Sequence, residues 1–276
     1  RLVLNEECNF AYFYFRRNFM KKLAHALVLT GLVGLPGFAM AAEEPASPHT
    51  LSANVTLTSD YVFRGVSQSQ NQPAIQGGFD YAHSSGFYIG TWGSSVSWVN
   101  DGLYKEDSSM EIDLYGGFKG TAGDFGYDLG LITYYYPGDQ IDGANDPDTT
   151  EAYVGASWKF LRAKCSSTVS DRFVGWGTAD DINNLNGDTD GSYYIELNAN
   201  YGLDNGWGLI GHIGYQDVKD NEDASYTDWK LGVSKDIGLG VVTVAYTDTN
   251  ADDTAYTWAG EEVADGRVFV SFSKAF

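Results

Sequence analysis

Apolar and polar residues alternate with a period of two along most of the chain after residue 50. The run from Tyr193 to Tyr201 is typical, with apolar residues at odd positions and mostly polar residues at even positions. Successive side chains of a β-strand point to opposite faces of a sheet, so this period predicts strands with one apolar and one polar face. No window of four turns shows the spacing of an amphipathic helix. The pattern therefore predicts an all-β fold.

Twelve such runs are separated by clusters of Gly, Asn, Asp and Ser, which are typical of turns. Ordinary strands have about 5–6 residues, whereas a tilted strand needs about 9–11 residues to cross a bilayer, and most of these runs have the longer length. This favours a transmembrane, antiparallel up-and-down β-barrel of about twelve strands. The runs span residues 51–65, 74–82, 86–98, 109–120, 124–137, 150–158, 160–169, 191–203, 206–218, 226–236, 239–250 and 265–276.

Alternation alone does not distinguish a soluble sandwich or barrel, with its apolar face inward, from a membrane barrel, with its apolar face outward. The polar face is rich in Gly, Ser, Asn and Tyr, unlike the Lys- and Glu-rich face of a soluble strand. Aromatic residues also cluster toward the predicted strand ends, as in the girdles that membrane barrels place at the lipid–water interface. These residues are Tyr61, Phe63, Trp92, Trp98, Tyr134–Tyr136, Tyr201, Trp207, Trp229 and Tyr246.

Residues 20–41 have the organisation of a secretory signal peptide. Lys21 and Lys22 precede an apolar core that Pro36 ends, and the small residues around Ala41 form a cleavage site. A membrane-anchoring helix is the alternative interpretation. We expect residues 1–19 to be a start-site artefact, residues 42–50 a short N-terminal segment and residues 51–276 the barrel, exported to the Gram-negative outer membrane.

Composition and charge narrow the function classes. The net charge of −20 and the pI of about 4.3 argue against nucleic-acid binding, which needs a basic surface. The mean hydropathy of −0.26 argues against a bundle of apolar membrane helices. Two cysteines cannot form a disulfide scaffold. No phosphate-binding loop, paired zinc ligands or nucleophile elbow is present, so we expect neither an enzyme nor a cofactor.

Several segments carry a family resemblance. They are Ser59–Gln68 (SDYVFRGVSQ), Gln72–Phe79, Glu111–Gly117, Glu151–Gly155 and Val270–Lys274. Together they resemble the TorF family of porins, also called the Gcw_chp family, over nearly all of residues 51–276. The resemblance implies an outer-membrane β-barrel and implies little about the solute. The terminal Phe276 also resembles the C-terminal signal that the barrel assembly machinery reads, although Lys274 departs from that pattern.

If the apolar face meets lipid, the charged residues of the strands point into the lumen. A charge on the lipid face costs about 2–4 kcal/mol at the bilayer centre. Such charges predict a pore for small hydrophilic solutes. A closed lumen of paired charges, in a structural or adhesive barrel, is the alternative. The predicted pore-lining residues are Asp60, Arg64, Glu111, Asp113, Asp128, Arg162, Lys164, Glu196 and Lys230.

Most of the acidic residues lie in the predicted loops, where they suggest a preference for cations and contact with lipopolysaccharide through divalent ions. Asn186, Asp188 and Asp190 have the spacing that begins a calcium-binding loop. Glu196 comes one residue before the position at which the bidentate acid is expected, so an acidic turn is the simpler interpretation. We expect outer-membrane lipid, lipopolysaccharide, the assembly machinery and small solutes as partners, and no nucleic acid.

Overall fold

A computed structural model describes residues 47–100, 103–105, 108–177 and 187–276. Twelve strands form one closed antiparallel barrel in which sequential strands pair, and the first strand closes the ring against the last. The predicted up-and-down barrel is therefore confirmed. Its strands are β1 (His49–Thr58), β4 (Ala74–His83), β5 (Phe87–Ser95), β6 (Met110–Ala122), β7 (Phe125–Tyr135), β8 (Thr149–Trp158), β9 (Leu161–Thr168), β10 (Tyr193–Gly202), β11 (Trp207–Asp217), β12 (Tyr226–Asp236), β13 (Val241–Thr249) and β16 (Arg267–Ala275); two short hairpins add β2 (Val62–Phe63) with β3 (Val66–Ser67), and β14 (Thr257–Trp258) with β15 (Glu261–Glu262).

The two ends of the barrel differ in their connections. At one end, which we call the turn end, short turns join the strands, and both the start of β1 and the end of β16 lie there. At the opposite loop end the connections are longer. The turns comprise residues 84–86, 123–124, 159–160, 203–206 and 237–240, and the loops comprise residues 59–73, 96–109, 136–148, 169–192, 218–225 and 250–266.

The outer face of the barrel is apolar. Leu51 and Val268 are each 64% exposed, and many other large apolar side chains of the strands share this face. Exposed aromatic residues form a band at each end, with Phe125, Trp158 and Trp207 among those at the turn end and Tyr135 and Trp229 among those at the loop end. An apolar belt between two aromatic girdles is the outer surface of a transmembrane barrel.

Within the part of the chain that the structure describes, helical structure is confined to three single turns of 3-10 helix, Trp98–Asn100, Asp204–Gly206 and Glu222–Ala224. Across the described ranges, no helix has the length and apolar character that a membrane-crossing helix requires. The predicted signal peptide at residues 20–41, like the segment 1–19 before it, lies outside the described residues and stays a prediction.

The first strand is shorter than the sequence predicts. It ends at Thr58, and residues 59–73 form a separate segment that folds into the barrel. Several aromatic residues predicted to lie in the girdles are therefore inside instead. Tyr61, Trp98, Tyr134 and Tyr136 are buried in one cluster with Phe63 and Trp92 packed against it. The girdle prediction is wrong for these six residues: Tyr61 and Phe63 lie in the segment that turns inward, and the other four lie at inward-facing strand positions or in loops.

Candidate lumenal site

Residues 59–73, the inserted segment, are held in a compact shape by their own hydrogen bonds. The hydroxyls of Ser67 and Ser69 donate to Asp60 Oδ1 at 2.5 and 3.0 Å. Strands β2 and β3 form a hairpin whose two-residue tip is Arg64–Gly65, with φ values of 49° and 83°. Two successive positive φ values are the geometry of a type I′ turn, which reverses a hairpin most tightly. The segment therefore presents Arg64 at its tip.

The hairpin reaches across the lumen and contacts inward-facing side chains around much of the ring. The Tyr61 ring packs edge-on against Trp92 of β5 at 5.5 Å, and Phe63 packs against Tyr134 of β7 at 5.6 Å. On the opposite side, Val62 is buried in a cluster whose other members come from β13 and β16, Ala245 and Phe269. Residues 61–65 therefore narrow the lumen at the loop end.

Arg64 is the centre of the polar contacts that hold the hairpin. Its guanidinium forms a two-pronged ion pair with Glu151, with Nη1–Oε1 and Nη2–Oε2 distances of 3.0 and 2.7 Å. Nη1 also donates to Gln216 Oε1 at 2.7 Å, and the guanidinium lies 4.3 Å from the centre of the Tyr194 ring. Arg64 is 7% exposed and Glu151 is fully buried. Planar, bidentate pairs of this kind are among the stronger charge-assisted hydrogen bonds.

Two further carboxylates lie behind the hairpin on β6. Glu111 accepts a hydrogen bond from the Tyr61 hydroxyl at 2.6 Å. Asp113 is 0% exposed, and neither of its carboxylate oxygens accepts a hydrogen bond from the described part of the protein. A buried carboxylate without donors is costly. Asp113 is therefore the least well satisfied acid of the lumen.

A cavity of about 100 Å³ lies against the hairpin on the side formed mainly by β9–β13. Its wall carries an ion pair between Lys164 and Glu196 at 3.3 Å and a contact of 2.8 Å between His212 Nε2 and Asp228 Oδ1. Lys230 also lines the cavity and makes no hydrogen bond or ion pair with any residue that the structure describes. The wall is therefore rich in charge and is mostly, but not fully, paired.

The structure places the predicted pore-lining residues in three groups. Asp60 and Arg64 belong to the inserted segment rather than to the first strand, which corrects the predicted strand 51–65. Glu111 and Asp113 are buried behind the hairpin. The remaining five lie on the wall around or near the cavity, where Arg162 pairs with Asp128 at 3.3 Å; they are Asp128, Arg162, Lys164, Glu196 and Lys230.

The contacts that matter most were not all predicted. Glu151, Tyr194, Gln216 and Asp228 complete the Arg64 cluster and the cavity wall, yet none is among the predicted pore-lining residues. Strand parity does indicate that these four side chains face the lumen, because each lies at a polar-face position of its strand. The contacts of Arg64 itself depend on a chain reversal that period-two alternation does not encode.

The calcium hypothesis gains no support from the geometry. Asn186 lies outside the described residues. Asp188 and Asp190 are exposed, and Asp190 pairs with Lys219 at 2.9 Å. Among the side chains that the structure describes, no three His, Cys, Asp or Glu residues converge as metal ligands.

Comparison with solved structures gives barrels of related architecture at low sequence identity. A KdgM porin is 6% identical, with 82% of this chain and 98% of that chain covered and a TM-score of 0.49. A NanC porin is 10% identical, with the same coverage and a TM-score of 0.48. At this level of similarity neither structure carries an inference about function. No curated protein matches the chain.

The sequence profile of one family matches residues 42–276, which include the whole barrel and the inserted segment. That family, Gcw_chp, is described as bacterial proteins of unknown function. The match extends over most of the chain, and it contains every residue of the lumenal site. The chain therefore belongs to the Gcw_chp family.

Proposed function

We propose that the protein is an outer-membrane, porin-like channel through which small hydrophilic solutes diffuse passively. The observation that carries the proposal is the distribution of polarity across the wall. Large apolar side chains cover the outside, whereas ionised side chains, among them Lys164, Glu196 and Lys230, line a cavity inside. A wall of this polarity suits a barrel with lipid outside and water-soluble material inside.

The inserted segment sets the conductance in this proposal. A barrel of twelve strands is wider than the eight-stranded barrels that side chains fill and narrower than the open sixteen-stranded porins. Residues 61–65 occupy part of that width, and the Arg64–Glu151 pair fixes them there. We therefore expect small, discrete conductance steps. The same pair favours a second candidate, a structural or adhesive barrel whose lumen stays closed.

The proposal keeps four expectations from the sequence. They are the TorF porin assignment, export by a cleaved signal peptide to a Gram-negative outer membrane, recognition of Phe276 by the assembly machinery, and a preference for cations from the acidic loops. Exposed acids such as Asp188 and Asp190 support only the last of these, since they raise the local concentration of cations at the loop end.

Planar-bilayer recording of the purified full chain tests the proposal. Wild type is compared with Arg64→Ala, and heat-modifiable migration on unboiled gels confirms that each barrel is folded. The channel proposal expects discrete steps from wild type and larger steps from Arg64→Ala. An absence of steps from folded wild type would establish the closed barrel instead, even if Arg64→Ala conducts.

A further inference from the structure

Five basic side chains lie at or near the cavity wall, and four of them contact an acid closely. Lys164 pairs with Glu196, and His212 lies against Asp228. Arg162, at the edge of the same cavity, pairs with Asp128. Arg64 is taken by Glu151. Lys230 is the remaining base, and in the described ranges its ammonium group has neither a hydrogen bond nor an ion pair.

Hydrogen bonds hold the His212 ring in place beside Lys230. The Asn198 amide nitrogen donates to Glu196 Oε2 at 2.9 Å, which fixes the amide oxygen toward His212 Nδ1 at 2.8 Å. Nε2 lies 2.8 Å from an Asp228 oxygen. Nε2 also lies 2.9 Å from the Tyr194 hydroxyl, so each ring nitrogen of His212 has a hydrogen-bond partner within the protein. The hydrogen bonds of His212 are therefore complete without Lys230.

Lys230 occupies the middle of this wall. In the barrel register it is opposite His212 on β11 and Thr247 on β13, so two polar side chains flank it on the same inner face. Asn200 and Ser271 line the same cavity and offer neutral hydrogen-bond donors. A cavity of about 100 Å³ has room for a molecule of only a few heavy atoms.

We infer that this cavity is a binding site for a small carboxylate, with Lys230 as its anchoring cation. An anion beside Lys230 would supply the acceptor that the wall lacks. The carboxylate oxygens accept from the ammonium and from the neutral donors nearby, while Glu196 and Asp228 keep their contacts with Lys164 and His212. The inference adds a binding site to the lumen of the proposed channel, apart from the acidic loops that favour cations at the loop end. It rests on the proposed channel in requiring that solutes reach the lumen.

Line broadening of carboxyl-labelled acetate in NMR tests the site on the full chain in non-ionic micelles, without any requirement for conduction. Wild type is expected to broaden the acetate signal in a saturable way. Lys230→Gln removes a charged hydrogen-bond donor and is expected to bind acetate roughly tenfold more weakly. Lys230→Arg keeps the charge and is expected to retain binding. Lys219→Gln, at an exposed pair on the loop end, is the matched control and is expected to behave as wild type.

Equal broadening by wild type and Lys230→Gln, or no saturable broadening by wild type, would overturn the inference. If Lys230→Gln does not fold, Lys230→Met replaces it. The inference expects Lys230→Met to lose the saturable broadening of the acetate signal. A barrel that binds acetate but gives no conductance steps would reject the channel and keep the site. Conductance without Lys230-dependent binding would reject the site and keep the channel.

Discussion

The two halves of the lumen have the same kind of wall and differ in what fills them. At the loop end, inward side chains such as Glu111, Asp113 and Glu151 are almost fully buried, because the inserted segment and the aromatic cluster cover them. Around the cavity, inward side chains such as Arg162 and Asn198 are only partly buried. The same alternation therefore produces a packed core in the covered half and an accessible polar wall around the cavity, in the open half.

The difference shows that a charged side chain of the lumen needs a protein partner where it is buried and not where it is accessible. In the covered half, each ionised group needs a partner from the protein, and the Arg64–Glu151 pair with Gln216 meets that demand. In the open half, a group such as Lys230 borders the cavity, where water or a bound solute can serve as its partner. Changes in the covered half should therefore alter stability and conductance together, whereas changes in the open half should alter solute binding first.

The largest expected effect comes from breaking the buried pair. Arg64→Ala leaves Glu151 buried without its counter-charge, and loss of one partner of such a pair costs about 3–5 kcal/mol. We expect the free energy of unfolding, measured by urea titration in micelles, to fall by that order. Lys105→Ala is the control, because Lys105 pairs with Asp139 at 4.0 Å with both side chains exposed, and such pairs contribute at most about 1 kcal/mol. Equal losses in the two variants would contradict a special role for burial.

The next largest effect tests how tightly the hairpin tip fits. A Cβ at Gly65 would lie 2.5 Å from Thr249 Cγ2 and 2.7 Å from Asp228 Cβ, on a residue with φ of 83°. We expect Gly65→Ala to cost about 1–3 kcal/mol from overpacking in addition to its backbone strain. Gly238→Ala, with φ of 82° in a turn and no atom within 4 Å of the added Cβ, isolates the strain. Urea titration should give a clearly larger loss for Gly65→Ala, and similar losses would mean that the tip is not closely packed.

A smaller effect of opposite sign is expected at Asp113. The amide of Asp113→Asn keeps the shape and removes a charge that accepts no hydrogen bond from the described residues, so the free energy of unfolding should rise by about 1 kcal/mol. Glu111→Gln is the comparison. It weakens a charge-assisted bond from Tyr61 and should lower the free energy by about 1 kcal/mol. Destabilisation by Asp113→Asn would show that the carboxylate has a partner that this geometry lacks.

A pH-dependent effect is expected outside the strands, in the loop 136–148. Burial raises the pKa of Asp148 from 3.8 to about 6, while the hydrogen bond from the Tyr136 N–H partly opposes that shift. The folded protein therefore binds this proton more tightly than the unfolded chain, and stability should decrease as pH rises from about 4 to about 6. Asp148→Asn removes the carboxyl group, so this pH-dependent contribution to the free energy of unfolding is absent. Urea midpoints of the two proteins should diverge across that window and stay parallel above it, and parallel behaviour throughout would reject the shift.

Much of the fold follows from the sequence because one physical rule governs it. Side chains alternate across a strand, and the membrane penalty on charge selects the outward face. All twelve barrel strands overlap the predicted runs. The inserted segment was missed for the same reason. Tyr61 and Phe63 continue the parity of β1, so a period-two pattern cannot distinguish a longer strand from a hairpin that turns into the lumen.

The site was less predictable than the wall. The parity indicates that Lys164, Glu196 and Lys230 face the same lumen, and the structure lines one cavity with them. Which acid pairs with which base depends on the register between strands. Glu196 is opposite Lys164, for example, only because β10 and β9 align in that way. Contacts of the inserted segment with distant strands require the closed ring, which no local pattern contains.

The one-sided position of the hairpin has a consequence for exchange kinetics. Residues 61–65 occupy part of the lumen, so a solute beside Lys230 meets a narrowed passage toward the loop end. We expect exchange past the hairpin to depend on the Arg64–Glu151 pair, which changes the rate of passage and leaves the affinity beside Lys230 unchanged.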